Sequence, residues 1–258
     1  MSLNSNERPS LYAVFPVRKN GVRYEERRAE HDPYGGERKS RMRPEEEPEY
    51  TRMDAQIYYM LACLDKEGPV GGRKLSETTG IGEAAVKEIA AAMRDCGWTT
   101  VSSAGMRLSE KGAEVLRNIP IELVGVKGSE HVMGGHQRGV LIRGMAHAVM
   151  NGARQRDMGT SAGAHGASVF TMRSGDLMMY RCNMDIRDPL FAREIRNKGM
   201  DEGDVMIICG ADDPNTAAVS AIFAALDLFS DRGKKRRKAS PPPSAENTAA
   251  RAEEGEAR

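Results

Sequence analysis

Near its C-terminus this 258-residue chain carries a segment with almost no polar side. Ala217, Ala218, Val219, Ala221, Ile222, Phe223, Ala224, Ala225, Leu226, Leu228 and Phe229 are interrupted only by Ser220 and Asp227. Asp213-Pro214 precedes it, pairing an N-cap residue with proline in the first turn, so the segment reads as a helix. A helix that is apolar all round has to be covered all round. Either the rest of the chain covers it from more than one side, or a second copy of the chain does, which makes a homodimer the expectation. The segment is too short to span a bilayer, no other apolar run reaches spanning length, and no basic start leads into an apolar stretch. The reading is therefore a cytoplasmic protein with no membrane partner.

The stretch from Met53 to Arg117 has a different grammar. Ile57, Met60, Leu61 and Leu64 fall at i, i+3, i+4 and i+7 on one face of a first helix. A short second helix, about Lys74 to Thr79, breaks at Gly80-Ile81-Gly82, a pair of glycines suited to the turn between crossed helices. Val86, Ile89, Ala90 and Met93 repeat the spacing in a third helix that Cys96-Gly97 ends. Its outward residues are Glu83, Ala84, Lys87, Glu88, Ala91 and Arg94. Trp98 to Val101 and Met106 to Leu108 then read as two strands of a small hairpin. Ser109 caps a further helix carrying Val115, Leu116 and Ile119. That order predicts a winged helix-turn-helix at residues 52–119, with Trp98 in its core.

A winged helix that binds DNA does so through cations that release counterions from phosphates. From Arg52 to Arg117 the charges balance: Arg52, Lys66, Arg73, Lys74, Lys87, Arg94, Arg107, Lys111 and Arg117 meet Asp54, Asp65, Glu67, Glu77, Glu83, Glu88, Asp95, Glu110 and Glu114. Distribution decides more than the sum. Arg73 and Lys74 on the second helix, Lys87 and Arg94 on the third and Arg107 on the wing are the candidate DNA-binding residues. The densest basic run, Lys234 to Lys238, precedes Ala239-Ser240-Pro241-Pro242-Pro243, a composition that builds no core. It serves either as a phosphate-holding arm or as a solubilising tail.

Residues 1–51 are rich in balanced charge and poor in apolar side chains, so they read as a disordered tail, as do residues 231–258. Leu11 to Val17 is the one stretch there fit for an edge strand. Cys63, Cys96, Cys182 and Cys209 show no metal-ligand spacing and read as buried thiols. His131 and His136 flank Gly134-Gly135, but no carboxylate or cysteine at a matching spacing completes a metal site, and His147 and His165 read as ordinary loop or core residues.

From Ile121 the period changes. Ile121 to Val126 and Val140-Leu141-Ile142 suggest strands on either side of a glycine-rich loop. A helix follows from Gly152 to Ala162, with Asn151 as its cap. Ala167 to Met172 and Leu177 to Tyr180 form a hairpin through Arg173-Ser174-Gly175-Asp176. Asp188-Pro189 opens another helix, and Val205 to Cys209 is an apolar strand before the last one. The expected class is α+β: a winged helix-turn-helix, then at residues 120–230 a two-layer α/β domain of order β-β-α-β-β-α plus β-α, with helices on one face of a mainly antiparallel sheet.

In combination, the winged helix with Ile142-Arg143-Gly144, Asn151-Gly152 to Gln155-Arg156-Asp157, Gly163-Ala164-His165-Gly166-Ala167 and Gly210-Ala211-Asp212-Asp213 resembles an archaeal family with an N-terminal winged helix and a C-terminal domain of unknown function. The likeness spans roughly residues 52–229. It implies a second domain similar to the GAD insertion domain of some tRNA-charging enzymes, and brings no catalytic residue with it. Arg143, Gln155, Arg156, Asp157, Asp212 and Asp213 lie at strand ends and helix starts, where side chains and free N–H groups can converge on a small ligand; the competing reading is ion pairs and helix caps. The chain lacks a phosphate loop, a nucleophile elbow and an H-E-x-x-H pair, and Gly134 to Gly139 lacks the strand-to-helix context of a dinucleotide fingerprint. The sequence thus predicts a non-enzymatic DNA-binding transcriptional regulator without a cofactor, whose second domain dimerises or senses a small-molecule effector. The alternative is a protein-interaction adaptor or an RNA- or tRNA-associated factor.

Overall fold

The computed structural model describes residues 50–230. The edge-strand expectation at Leu11 to Val17 and the Lys234 to Lys238 run lie outside the described residues. Helix α1 (Arg52–Glu67) opens on a reciprocal cap in which the Thr51 hydroxyl accepts from the Asp54 N–H and the Asp54 carboxylate accepts from the Thr51 N–H. Helices α2 (Gly72–Thr79) and α3 (Glu83–Asp95) follow, then an antiparallel hairpin of β1 (Thr99–Ser102) and β2 (Gly105–Leu108), and α4 (Glu110–Asn118) capped by Ser109. Gly80 ends α2 in the left-handed region at φ 64°. A side chain there would collide with Asn215, its Cβ falling 1.9 Å from the Asn215 side-chain nitrogen. The turn between α2 and α3 is thereby seated on the last helix.

The larger sheet contains β3 (Ile121–Gly125), β4 (His136–Ile142), β5 (Gly166–Arg173), β6 (Asp176–Met179), β7 (Cys182–Asn183) and β8 (Val205–Ala211). Its spatial order is β3-β4-β8-β5-β6-β7, and every neighbouring pair is antiparallel. After β4 the chain passes through α5 (Ala153–Ser161) to β5, leaving a gap that β8 fills. Helices α6 (Met184–Arg187) and α7 (Pro189–Arg196) lie between β7 and β8, and α8 (Pro214–Leu226) ends the fold with a short 3-10 turn, Asp227–Phe229.

The expected two-layer packing needs correction: helices cover both faces of this sheet. Val205, Ile207 and Cys209 of β8 join one apolar cluster with Met158 of α5 and the α8 residues, while Met206 and Ile208 join a second with Phe191, Ala192 and Ile195 of α7. All seven residues of β8 are buried, which its uninterrupted apolar run already signals, because a strand covered on one face alternates. A second correction concerns β4. It begins at His136, so the last four residues of the apparent glycine-rich loop, His136 to Gly139, are strand.

Helix α8 is buried from Ala217 to Leu226, packed by β4, β8, α5 and α1. Its apolar girdle is thus closed within one chain, and no second copy is needed for it. The first apolar cluster runs without a break from Ile57, Leu61, Met93 and Trp98 through Ile222 to Val140 and Val205. Tyr58 fastens this junction. Its buried hydroxyl sits 2.7 Å from the Ile119 carbonyl and 3.2 Å from the Ile121 N–H, so α1 holds the segment joining α4 to β3. Burial pushes the Tyr58 phenol up to about 12.

Candidate nucleic-acid interface

The side chains that α2, α3 and the hairpin turn outward are set by what they turn inward. Leu75 and Thr79 of α2, and Val86, Ile89 and Met93 of α3, are buried with Trp98 against α1. Helical spacing then leaves Arg73, Lys74, Glu83, Ala84, Lys87, Glu88 and Arg94 exposed. The hairpin is anchored to the start of α2: the Val70 N–H donates to the Met106 carbonyl at 2.8 Å, and the Met106 N–H returns a bond to Val70 at 2.9 Å. Arg107 is therefore one residue from the strand position that abuts the Val70-Gly71 approach to Arg73 and Lys74. Beyond it the hairpin tip exposes Val101 and Ser102 to Ala104.

All five candidate DNA-binding residues are thus exposed. Two of them are engaged locally: Arg73 Nε donates to Glu77 at 3.2 Å, and Arg107 Nε to the Thr100 hydroxyl at 3.3 Å. An exposed pair of this kind is worth well under ~1 kcal/mol and yields readily to a phosphate.

The six candidate ligand residues do not meet. Arg143 follows β4 and reaches Asp204 at 2.9 Å, Glu122 at 3.2 Å and the Gly199 carbonyl, and its bond to Asp204 holds the guanidinium pKa above its usual value. Asp212 and Asp213 follow β8, whose Ala211 pairs with His136 while its Val205 pairs with Ile142. Antiparallel pairing thus sets Arg143 at the opposite end of the sheet, about 20 Å away. Asp212 meets His165 at 3.1 Å, and Asp213 caps α8 through the Asn215 and Thr216 N–H groups. The bond from Thr216 keeps the Asp213 carboxyl below the usual range. On α5, Gln155 turns inward and donates to Asp227 at 3.2 Å, Arg156 reaches the Asn151 carbonyl at 3.3 Å, and Asp157 is exposed. Arg143, Asp212 and Asp213 are thus spent on ion pairs and a helix cap, and the six residues do not form one crevice.

Sequence reasoning passed over Arg154, whose guanidinium grips the buried Asp227 with Nε and Nη2 at 2.8–2.9 Å. An aspartate inside an apolar run signals a buried partner, although not which one. It also missed the carboxylate facing His131. His131 Nε2 lies 2.9 Å from Asp188, and with Glu130 the three donor groups fall within 4.8 Å of one another. Asp188 uses its other oxygen to cap α7 at the Phe191 N–H, and the His131 ring packs edge-on against Phe191, so packing accounts for the trio. The four cysteines are free; Cys63 and Cys209 are buried as expected, whereas Cys96 and Cys182 are only partly so. Among the described residues no helix is long and apolar enough to cross a membrane.

Residues 133–228 match a family described as a domain of unknown function (DUF4443). The fold is similar to that of a hypothetical protein from Pyrococcus horikoshii OT3, with a TM-score of 0.53 and 21% identity over 73% of this chain and 100% of that one. No curated protein matches. The structural match is to an archaeal protein and the family match covers β4 to β8 of the larger sheet, as the sequence resemblance implies for that part. The family match does not reach residues 52–119.

Proposed function

We propose that residues 52–119 are a winged helix-turn-helix that binds DNA, and that residues 120–230 form a GAD-like domain that carries it and responds to a small-molecule effector, making the protein a non-enzymatic transcriptional regulator. The observation that carries this reading is the outward face of α3, which is uncovered and flanked by a hairpin tied to the start of α2. Lys74, Lys87, Arg94 and Arg107 supply the cations, and the exposed Ala84 beside Lys87 suits a thymine methyl. Regulators of this architecture read paired half-sites, so the working unit is a homodimer on that argument alone, since α8 is already covered.

A second reading draws on Glu83 and Glu88, which share the exposed face with Lys87, and on Val101, exposed at 58% on the hairpin. A face of mixed charge with an apolar tip suits a protein partner. One experiment separates the two: binding of the full chain to genomic DNA fragments across a salt series, with bulk tRNA as competitor. The regulator reading expects sequence-selective retention that tRNA does not abolish. Lys74→Ala and Lys87→Ala should each weaken binding and reduce the slope of log K against log salt by ~0.9 per lost phosphate contact. Unchanged affinity and slope in both variants refute it, and equal competition by tRNA moves the assignment to RNA.

A further inference from the structure

Among the described residues, part of one face of the larger sheet stays open at the β5-β6 hairpin. Successive residues of a strand alternate sides, so Val169, Thr171 and Arg173 of β5 share a face with Asp176 and Met178 of β6, and the register places Thr171 opposite Met178 and Arg173 opposite Asp176. The other side of the hairpin, Phe170, Met172 and Leu177, is packed in the second apolar cluster. On this side α5 starts too late to reach the hairpin. What remains is an open cavity of about 310 Å³, walled by these residues, by Val149 to Gly152 and by Tyr180. That volume is at the lower end of small-molecule sites, which begin near ~300 Å³.

Four features of the cavity point to a ligand. Thr171 is 6% exposed and lines the wall, yet its hydroxyl has no hydrogen-bond partner among the described residues. Arg173 donates through Nη2 to the Ala146 and Val149 carbonyls, which fixes the guanidinium at the cavity while leaving Nη1 and Nε unused. It forms no ion pair among the described residues, and neither does Asp176, its direct cross-strand partner, although the Asp176 charge is felt by Arg196. Finally, α5 begins at the cavity. Gly152 sits at φ 70° with no capping side chain, and its α-carbon approaches β5 so closely that a Cβ would lie 2.9 Å from the Val169 Cβ. Asn151 Oδ1 accepts from the Ala153 N–H at 3.0 Å, and Asn151 and Gly152 at the start of the helix line the same space.

An arginine, the Thr171 hydroxyl that opens on the cavity and a helix start together favour a carboxylate. Asp176 across the strand favours a cation or hydroxyl on the same molecule, and Val149, Val169 and Met178 favour a short apolar portion. We propose that this cavity binds a small zwitterion of the amino-acid class, its carboxylate on Arg173, Thr171 and the start of α5 and its ammonium on Asp176. Met150 and Tyr180, exposed at 77% and 54%, line the cavity at its opening. Tyr180 is held at φ 56°, a conformation that bulky residues rarely adopt. The site gives the effector role of the proposed function an address, and in that respect rests on it; the binding itself is measured without DNA, so either claim can fail alone.

The test is a titration of the full chain, labelled at the methionine methyls, with each standard amino acid and with propionate and propylamine as half-ligands, up to ~10 mM. Met150→Leu and Met178→Leu assign the two reporting resonances. The expected result is a saturable shift of the Met150 and Met178 methyls with a subset of amino acids. Binding should weaken by roughly tenfold in Thr171→Val and in Asp176→Asn, neither of which disturbs the tether that Arg173 makes to the Ala146 to Val149 loop. No shift with any amino acid overturns the proposal, as does binding that both substitutions leave intact. Propionate binding as tightly as the best amino acid overturns the zwitterion assignment.

Discussion

Replacing Tyr58 by Phe tests whether the N-terminal helices and the larger sheet form one cooperative unit. The hydroxyl is the only group removed. It lies 2% exposed between the Ile119 carbonyl at 2.7 Å and the Ile121 N–H at 3.2 Å, at the point where α4 gives way to β3. The Ile121 N–H keeps a bond to the Ile119 carbonyl at 2.8 Å, so it is not stranded. The Ile119 carbonyl likewise keeps that N–H, so the loss is one good hydrogen bond, about 1 kcal/mol net. A loss of about 1 kcal/mol lowers the melting temperature by roughly 2–4 °C for a folded part of this size. Trp98, the chain's single tryptophan, reports from within the N-terminal helices, while far-UV dichroism reports the whole chain. Urea unfolding followed by both probes should give coincident transitions, displaced together by the substitution with an unchanged slope. There is also an alkaline signature. The phenol titrates at about 12 in the fold and near 10 when unfolded, so its contribution is complete below pH 10 and disappears as pH rises through 12. Tyr58→Phe should flatten that part of the pH-stability curve. A loss below ~0.5 kcal/mol, or a tryptophan transition separate from the dichroism, would refute the idea of one continuous core.

Other perturbations probe other joints. Asp227→Ala removes the carboxylate that Arg154 and Gln155 hold in the interior, and should cost about 3 kcal/mol by chemical denaturation. Arg196 keeps the Asp185 carboxyl, and Thr216 the Asp213 carboxyl, below the usual range; their contributions are present above pH ~4 and fade as pH falls through the depressed values, so Asp185→Asn should reduce the acid-side slope of stability against pH. Gly80→Ala meets both a left-handed backbone, worth ~1–2 kcal/mol, and the Asn215 side chain; adding Asn215→Ala should recover the collision but not the backbone cost, and strict additivity in that double-mutant cycle would show that the α2-α3 turn does not rest on α8.

What the sequence discloses here is decided by range. Asp188-Pro189 and Asp213-Pro214 open α7 and α8 as written, and Arg173 to Asp176 makes its turn, because each depends on neighbours within three residues. The positions of α1 to α4 follow from periodicity and glycine stops for the same reason. The electrostatic joints are legible only as questions. Asp227 pairs with Arg154 across 73 residues, Arg143 with Asp204 across 61, and His131 with Asp188 across 57, and nothing in the spacing of one member names the other. Arg143 and Asp213 look equally suited to a ligand until the antiparallel pairing of β4 with β8 sends them to opposite ends of the sheet.

The cavity illustrates the same limit in reverse. Arg173 and Asp176 read as ordinary polar ends of a hairpin, and only the third dimension shows that α5 starts short of them and that Thr171 is buried beside them without a partner. Unspent polar groups inside a fold cost free energy; Asp204, Asp185 and Asp227 are each paired, while the buried Thr99 and Ser220 hydroxyls have no partner among the described residues. An unspent group is informative about function where it opens on a cavity, as Thr171 does and Thr99 and Ser220 do not. By that criterion the β5-β6 hairpin is the stronger claim to chemistry, and the outer face of α3, whose cations stand beside Glu83 and Glu88, makes its case by shape and exposure.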